Sequence, residues 1–414
     1  MAIGTAYWLF QYPIFERELD WFSSTFNAPF VTQFILAYTL VFFVMAWLLL
    51  LLSRKWADHW LFKKPVRNLF LFYTGMLVLA SYAPLPRPAW LSLWVILIIA
   101  GKYLWFLAYA LSNRGKEKTP VSLIELFHFQ PFWGSTNVPF PKGEANLRKI
   151  EAKSPLDLAT VQLKGLKLML WSSLLLLVFS LFDQIVFGAH GFIDPFLQGL
   201  PVLPRLNNVI HQYLVGKVFP RSICWMVLVA NFLRILLDVS SFGGTFVATC
   251  RMCGFNALRN TYKPLEAKSI AEFYNRVYYY FKELLVDFFF YPTYFRFFKQ
   301  HPRLRIFFAT FAAAGFGNAL FHFLRDITLI IKLGLWNALA GFQTYLLYCV
   351  ILGTAIGVSQ LRSIGRPPQN RGFLSTVFVL FFYCLIMVLD DPLRSWSIID
   401  YCSFIINLFL PFAR

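Results

Sequence analysis

The sequence predicts an all-α polytopic membrane protein, a bundle of about ten membrane-crossing or membrane-embedded helices. Three observations predict it. The 414-residue chain is 58% hydrophobic and only 14% charged, against about 45–50% and about 25% in soluble domains, and its mean hydropathy is +0.59. Its apolar residues are gathered into long blocks, several reaching the roughly 20 residues that a spanning helix needs. Most of the 38 Lys and Arg fall between those blocks, in the short loops whose basic residues mark one side of a membrane.

The elements follow in chain order. Over 6–22, Trp8, Phe10, Tyr12 and Phe15 alternate with polar residues, which reads as an amphipathic helix in the membrane interface or as an irregular anchored tail. The first twenty residues lack the basic start and small-residue cleavage site of a signal peptide. The first span, 31–52, reads VTQFILAYTLVFFVMAWLLLLL and holds no charge. Further spans are expected at 69–83, 89–111, 168–187, 223–250, 304–323, 341–358, 373–389 and 398–412. Two stretches, 273–298 and 327–339, read as partial, re-entrant or surface-lying helices. The total comes to about 9–11 transmembrane helices in a single integral membrane domain, 1–414. Within it, 112–167 is polar and Pro-bearing. It reads as a cytoplasmic segment lying on the membrane surface through Phe127, Phe129, Phe132 and Trp133, or as a lid over a cytosolic entrance.

Orientation follows from the basic loops. Arg54, Lys55, Lys63, Lys64 and Arg67 follow the first span, whereas the next loop carries only Arg87. Arg114, Lys116, Lys118, Arg148, Lys149 and Lys153 lie in the polar segment. Further inside loops carry Arg251, Arg259, Lys263 and Lys268, then Arg296, Lys299, Arg303 and Arg305, then Arg362, Arg366 and Arg371. Acidic residues gather at Glu16, Glu18 and Asp20 and at Asp390, Asp391 and Asp400. The N-terminus is therefore expected outside and the C-terminus in the cytoplasm, and the compact loops suggest a bacterial inner membrane. The net charge of +18 reflects this topology. No nucleic-acid motif accompanies it, so nucleic acid is not an expected partner. Anionic headgroups of the lipid bilayer, or a phosphate-bearing cofactor, are.

Several chemistries are absent from the sequence. There is no GxxxxGK[ST], GxSxG or HExxH motif, and no pair of repeated, Gly/Pro-broken apolar segments of the kind many transporters show. Cys250 and Cys253 form a lone CxxC without the two further ligands zinc needs, so no metal is expected. Arg234 and Asp238, at i and i+4 in one span, read as a neutralising ion pair. Lys102, late in a span, is expected to snorkel to the interface.

What remains is the block 271–326. It contains AEFYNRVYYYFKELLVDFFFYP, a basic turn, then IFFATFAAAGFGNALFHFLRD. Polar and ionisable residues in membrane-embedded sequence are costly and tend to be functional. Asn275, Tyr278, Lys282, Glu283 and Asp287 lie in the first segment. Asn318 and His322 lie in the second, one helical turn apart and so on one face. A lone His in a helical bundle is also often an interhelical hydrogen-bonder, and Tyr278, Tyr279 and Tyr280 could form an interfacial belt.

This block resembles the membrane-bound O-acyltransferase (MBOAT) family. Phe273, Tyr274, Arg276, Leu284, Asp287, Phe288 and Pro292 fall on the frame of that family's first motif. Ala319, Leu320, Phe321, His322 and Phe323 match its second motif, a membrane-embedded His preceded by small residues, and a basic turn separates the two as in the family. Val277 stands where the first motif has Trp, and Tyr278 where it has His or Asn; Asn275, three residues earlier, could take over that polar role. On an alternative frame of the second motif, through Gly315, Phe316 and Gly317, the catalytic position is Asn318. Outside the block the resemblance rests on span number, basic loops and length.

The resemblance implies an MBOAT-like bundle around a central tunnel. It implies an acyltransferase that moves an acyl group from acyl-CoA or an acyl carrier protein thioester to a hydroxyl of a polysaccharide, lipid or small metabolite, with no bound cofactor. His322 would be the general base, a role suited to imidazole with its unperturbed pKa near 6.5. Asn275, Asn318 and Tyr278 are the candidates for orienting the thioester carbonyl or stabilising the oxyanion. The alternative is a non-catalytic member of the same fold, acting as a scaffold, lipid-binding or transport partner.

Overall fold

A computed structural model describes residues 28–115, 122–123, 142–191, 201–217, 219–364, 372–390 and 397–410. The expected helix at 6–22, the anchors Phe127, Phe129, Phe132 and Trp133, and the side chain of Lys102 lie outside the described residues. Among the described residues all regular structure is helical, and each expected span falls on a helix. Five helices are long and apolar enough to cross a membrane: Ala37–Lys55, Pro155–Phe187, Arg221–Met252, Pro302–Arg325 and Gln343–Ser363. A sixth results if 88–113, bent by 59° near Gly101, is one span, while Phe373–Leu389 and Ile398–Phe409 are shorter apolar helices. The described residues are those of a multi-pass helical membrane protein. They form two compact units, one of Met1–Ser135, Phe140–Glu151 and His322–Leu339, the other of Thr136–Pro139, Ala152–Phe321 and Ala340–Arg414.

The principal helices are α1 (Ala28–Lys55), α2 (Pro65–Tyr82), α3 (Arg87–Asn113), α4 (Pro155–Phe187), α5 (Leu206–Leu214), α6 (Arg221–Met252), α7 (Ile270–Val277), α8 (Tyr279–Leu285) and α9 (Tyr291–Arg296). They continue as α10 (Pro302–Phe311), α11 (Asn318–Arg325), α12 (Gln343–Ser363), α13 (Phe373–Ile386) and α14 (Ile398–Phe409).

In the first unit α1 and α2 both pack on α3, whose second half, from Tyr103 to Leu111, is buried throughout. The Tyr73 hydroxyl of α2 donates to the Leu97 carbonyl of α3 at 3.2 Å. A Cβ on Gly101 would stand 2.7 Å from that hydroxyl, so glycine permits the approach. At the end of α3 one guanidinium closes three chain ends. Arg114 donates to the carbonyls of Ser53 (3.2 Å), Phe62 (2.8 Å) and Leu111 (2.9 Å). Carbonyls in a helix's last turn have no partner within the helix, and burying them unpaired is costly.

In the second unit α4 and α6 pair along their length. Ser154 caps α4 by accepting from the Asp157 N–H at 3.1 Å, and left-handed Gly188 (φ +63°) ends it. The buried positions Val161, Gly165, Leu168 and Ser172 recur at three- and four-residue steps, a single stripe. Gly165 lies against Ala248, Arg251 and Met252, and Gly244 against Ser172. Only 17% of the apolar window of α4 is buried in the protein. Leu170, Leu174 and Leu177 point away from it, as lipid-facing residues do. A second cluster joins α5, α6 and α14 through Val209, Ile210, Val227, Leu228, Tyr401 and Phe404.

The block from α7 to α11 contains two π-helical segments, Val286–Phe290 and Ala312–Gly317. They pack on each other through Gly317, where a Cβ would meet the Phe289 ring at 2.6 Å. The second also packs on α12. A Cβ on Gly353 would meet the Gly315 backbone at 2.8 and 2.9 Å, so the two helical segments touch main chain to main chain. Gly353→Ala must therefore displace backbone, at a cost of about 2 kcal/mol or more. Gly75→Ala in α2, with nothing within 4 Å, gains up to about 1 kcal/mol from helix propensity. Thermal unfolding in detergent is expected to show a clear loss for the first and none for the second.

Candidate functional site

Ser269 starts α7 by accepting from the Glu272 N–H at 3.1 Å. The helix is strongly amphipathic. Phe273, Tyr274 and Val277 are buried, while Asn275 is exposed. Phe273 stacks on Tyr383 at 4.0 Å, and the Tyr383 hydroxyl donates to the Ile270 carbonyl at 2.9 Å. Asn275 instead lines an open cleft of about 340 Å³ with Ser269, Ala271, Glu272, Gln360, Ser363 and Ile364.

Tyr278 is not helical (φ −124°, ψ 59°) and separates α7 from α8, so Asn275 and Tyr278 do not share one continuous helical face. The preceding loop supplies the hydrogen bonds that the break sets free. The Asn260 carbonyl accepts from the Tyr279 N–H (3.1 Å), and Tyr262 N–H donates to the Arg276 carbonyl (2.8 Å). The Asn260 side chain accepts from the Tyr280 N–H (3.4 Å), and the Thr261 hydroxyl donates to the Val277 carbonyl (2.8 Å). Beyond this loop, the hydrogen bond and charge of Glu266 hold the Lys263 ammonium above its ordinary pKa.

Asn318 and His322 stand one turn apart on α11, immediately after the second π segment. Asn318 is 2% exposed and His322 7%. Asn318, Asn275 and Tyr278 belong to the second unit and His322 to the first, the division falling after Phe321. Within the second unit, Phe321 packs on Phe281 at 4.6 Å, and Phe281 on Tyr274 at 6.4 Å. The buried Asn318 Oδ1, Tyr274 hydroxyl and Thr344 hydroxyl have no hydrogen-bond partner among the described residues. Tyr274 is a residue that polarity alone did not single out. The amphipathic pattern of α7, which puts Tyr274 in phase with Phe273 and Val277, was the available signal.

The ionic cluster of α4 and α6 is accounted for by packing. Asp183 accepts two bonds from Arg205 (2.7 and 2.8 Å) and one from Arg234 (2.7 Å). The contact of Arg234 thus includes a carboxylate on the neighbouring helix, with Asp238 also within its electrostatic reach. Among the described residues no three His, Cys, Asp or Glu side chains are placed to share a metal ion. No protein-family model and no curated protein matches the chain.

Tyr274→Phe removes a hydroxyl that has no partner among the described residues, so the stability of the protein in detergent is expected to hold or rise. A loss of about 1–3 kcal/mol, the usual cost of orphaning a buried partner, would show that the hydroxyl already serves the fold.

Proposed function

We propose that the chain is a membrane acyltransferase of the membrane-bound O-acyltransferase kind, with His322 as general base. The observation that carries this reading is the pair His322 and Asn318, both buried and one turn apart on a helix of a membrane span. Polar groups in such a place are costly to keep, and π-helical segments like the one before them recur at functional sites.

The acceptor hydroxyl gives its proton to the imidazole of His322 as its oxygen attacks the thioester carbonyl. The amide of Asn318 donates to the oxyanion that forms. The carbon–sulfur bond breaks, the ester forms, and the imidazolium returns the proton to the leaving thiolate. The donor, acyl-CoA or an acyl carrier protein, approaches from the side of the basic loops, with the N-terminus outside and the C-terminus in the cytoplasm of a bacterial cell.

The departures Val277 and Tyr278 favour a second reading, a non-catalytic scaffold that binds thioester or lipid without turnover. Purified protein with labelled acyl thioester and a panel of hydroxyl acceptors separates the two. Transfer is expected, and His322→Ala is expected to lower it by about 10²–10⁴-fold, the usual contribution of a general base. Full transfer by a folded His322→Ala protein removes the assignment, and binding without turnover by the unaltered chain favours the scaffold.

A further inference from the structure

The turn between α9 and α10 is rich in cations. Residues 288–324 contain no Asp or Glu, yet Arg296, Lys299, Arg303 and Arg305 fall within nine positions of one another by number. Arg305 is used internally. Its guanidinium lies 3.7 Å from the centre of the Tyr294 ring, and its Nε donates to the Tyr294 carbonyl at 2.5 Å. Arg296, Lys299 and Arg303 are exposed; the Arg296 guanidinium lies 5.4 Å from the centre of the Phe297 ring, and none of the three has an ion pair among the described residues.

The turn itself is built rather than loose. Phe297 N–H donates to the Thr293 carbonyl (3.0 Å), and His301 N–H to the Phe298 carbonyl (3.0 Å). Phe298 holds a left-handed conformation (φ +50°), costly for an aromatic residue. The Phe297 and Phe298 rings both meet the Phe308 ring edge-on, at 5.7 and 5.0 Å. Around this frame Phe295, Phe297 and Leu304 remain largely exposed. One tip therefore combines aromatic surface with three cations that have no carboxylate partner among the described residues.

We propose that this turn is a binding site for the headgroup of an anionic phospholipid. The Phe rings and Leu304 seat at the boundary of headgroups and acyl chains, as the apolar face of an interfacial segment does. Arg296, Lys299 and Arg303 then meet the phosphate from the same end of the α9–α10 hairpin. A basic residue near an anionic membrane surface contributes about 1 kcal/mol, or roughly fivefold in affinity. The site is independent of the acyl-transfer reading.

The full chain, purified in neutral detergent, is titrated with phosphatidylglycerol, with phosphatidylcholine and with inorganic phosphate while its unfolding midpoint is followed. Phosphatidylglycerol is expected to raise the midpoint, and the other two to leave it in place. Arg296→Gln/Lys299→Gln/Arg303→Gln is expected to weaken phosphatidylglycerol binding on the order of 100-fold. Lys299→Gln alone, a surface change that spares the fold, should weaken it about fivefold, and Lys299→Arg should restore it. Unchanged phosphatidylglycerol binding by the triple variant or by Lys299→Gln overturns the proposal. So does an equal shift with phosphatidylcholine, and a shift reproduced by inorganic phosphate shows a free-anion site and overturns the lipid assignment.

Discussion

Hydrocarbon is the solvent against which this chain is folded, and that constraint decides which residues can sit where. Helix α4 shows it most plainly. At about 1.5 Å per residue its 33 residues reach roughly 50 Å, well past a hydrocarbon core of about 30 Å. Its polar end, with Asp157, Lys164 and Lys167, therefore extends beyond the apolar part. Over the remainder it buries Leu168 and Ser172 and turns Leu170, Leu174 and Leu177 outward. In water such a surface would drive aggregation. In lipid it costs nothing, and association is left to close packing such as that of Gly244 on Ser172, where small residues let helices approach.

The same solvent makes each unpaired polar group expensive, and most of the chain obeys that rule. Arg114 closes three chain ends, Asp183 joins two guanidiniums, and the loop 260–262 bonds the interruption at Tyr278 on both sides. Among the described residues the buried Trp94 Nε1, Ser172 hydroxyl, Asn260 Nδ2, Tyr274 hydroxyl, Thr344 hydroxyl and Asn318 Oδ1 have no hydrogen-bond partner. Buried polar atoms without partners call for an explanation such as a ligand or catalysis. Asn318 directly follows the second π segment, which the main-chain contact of Gly315 with Gly353 holds in place.

Much of this was legible in the sequence, because lipid immersion leaves a one-dimensional mark. Long apolar blocks gave the helix positions, and the embedded Asn318 and His322 were visible as polar residues four apart in a Phe-rich span. Span length was less legible. Arg67 and Asn68 in α2, and the brevity of α13 and α14, leave those helices short of a full crossing by length and composition. The π segments were invisible, since widening by one residue per turn leaves no periodic signature in runs as uniform as VDFFF and AAAGFG. The break at Tyr278 depends on hydrogen bonds from a loop some twenty residues away, and the contact of Arg234 with Asp183 spans 51 positions. Long-range pairings of this kind are not written in local pattern.

The claim on which all else rests is that the outward leucines of α4 face lipid. A nitroxide at Leu177→Cys in nanodisc-embedded protein, read by its relative exposure to molecular oxygen and to a water-soluble nickel chelate, tests it directly. Oxygen should relax the label strongly and nickel hardly at all, whereas the same label at Leu156→Cys, on the polar end of the helix, should respond to nickel. Strong nickel relaxation at position 177 would contradict the account.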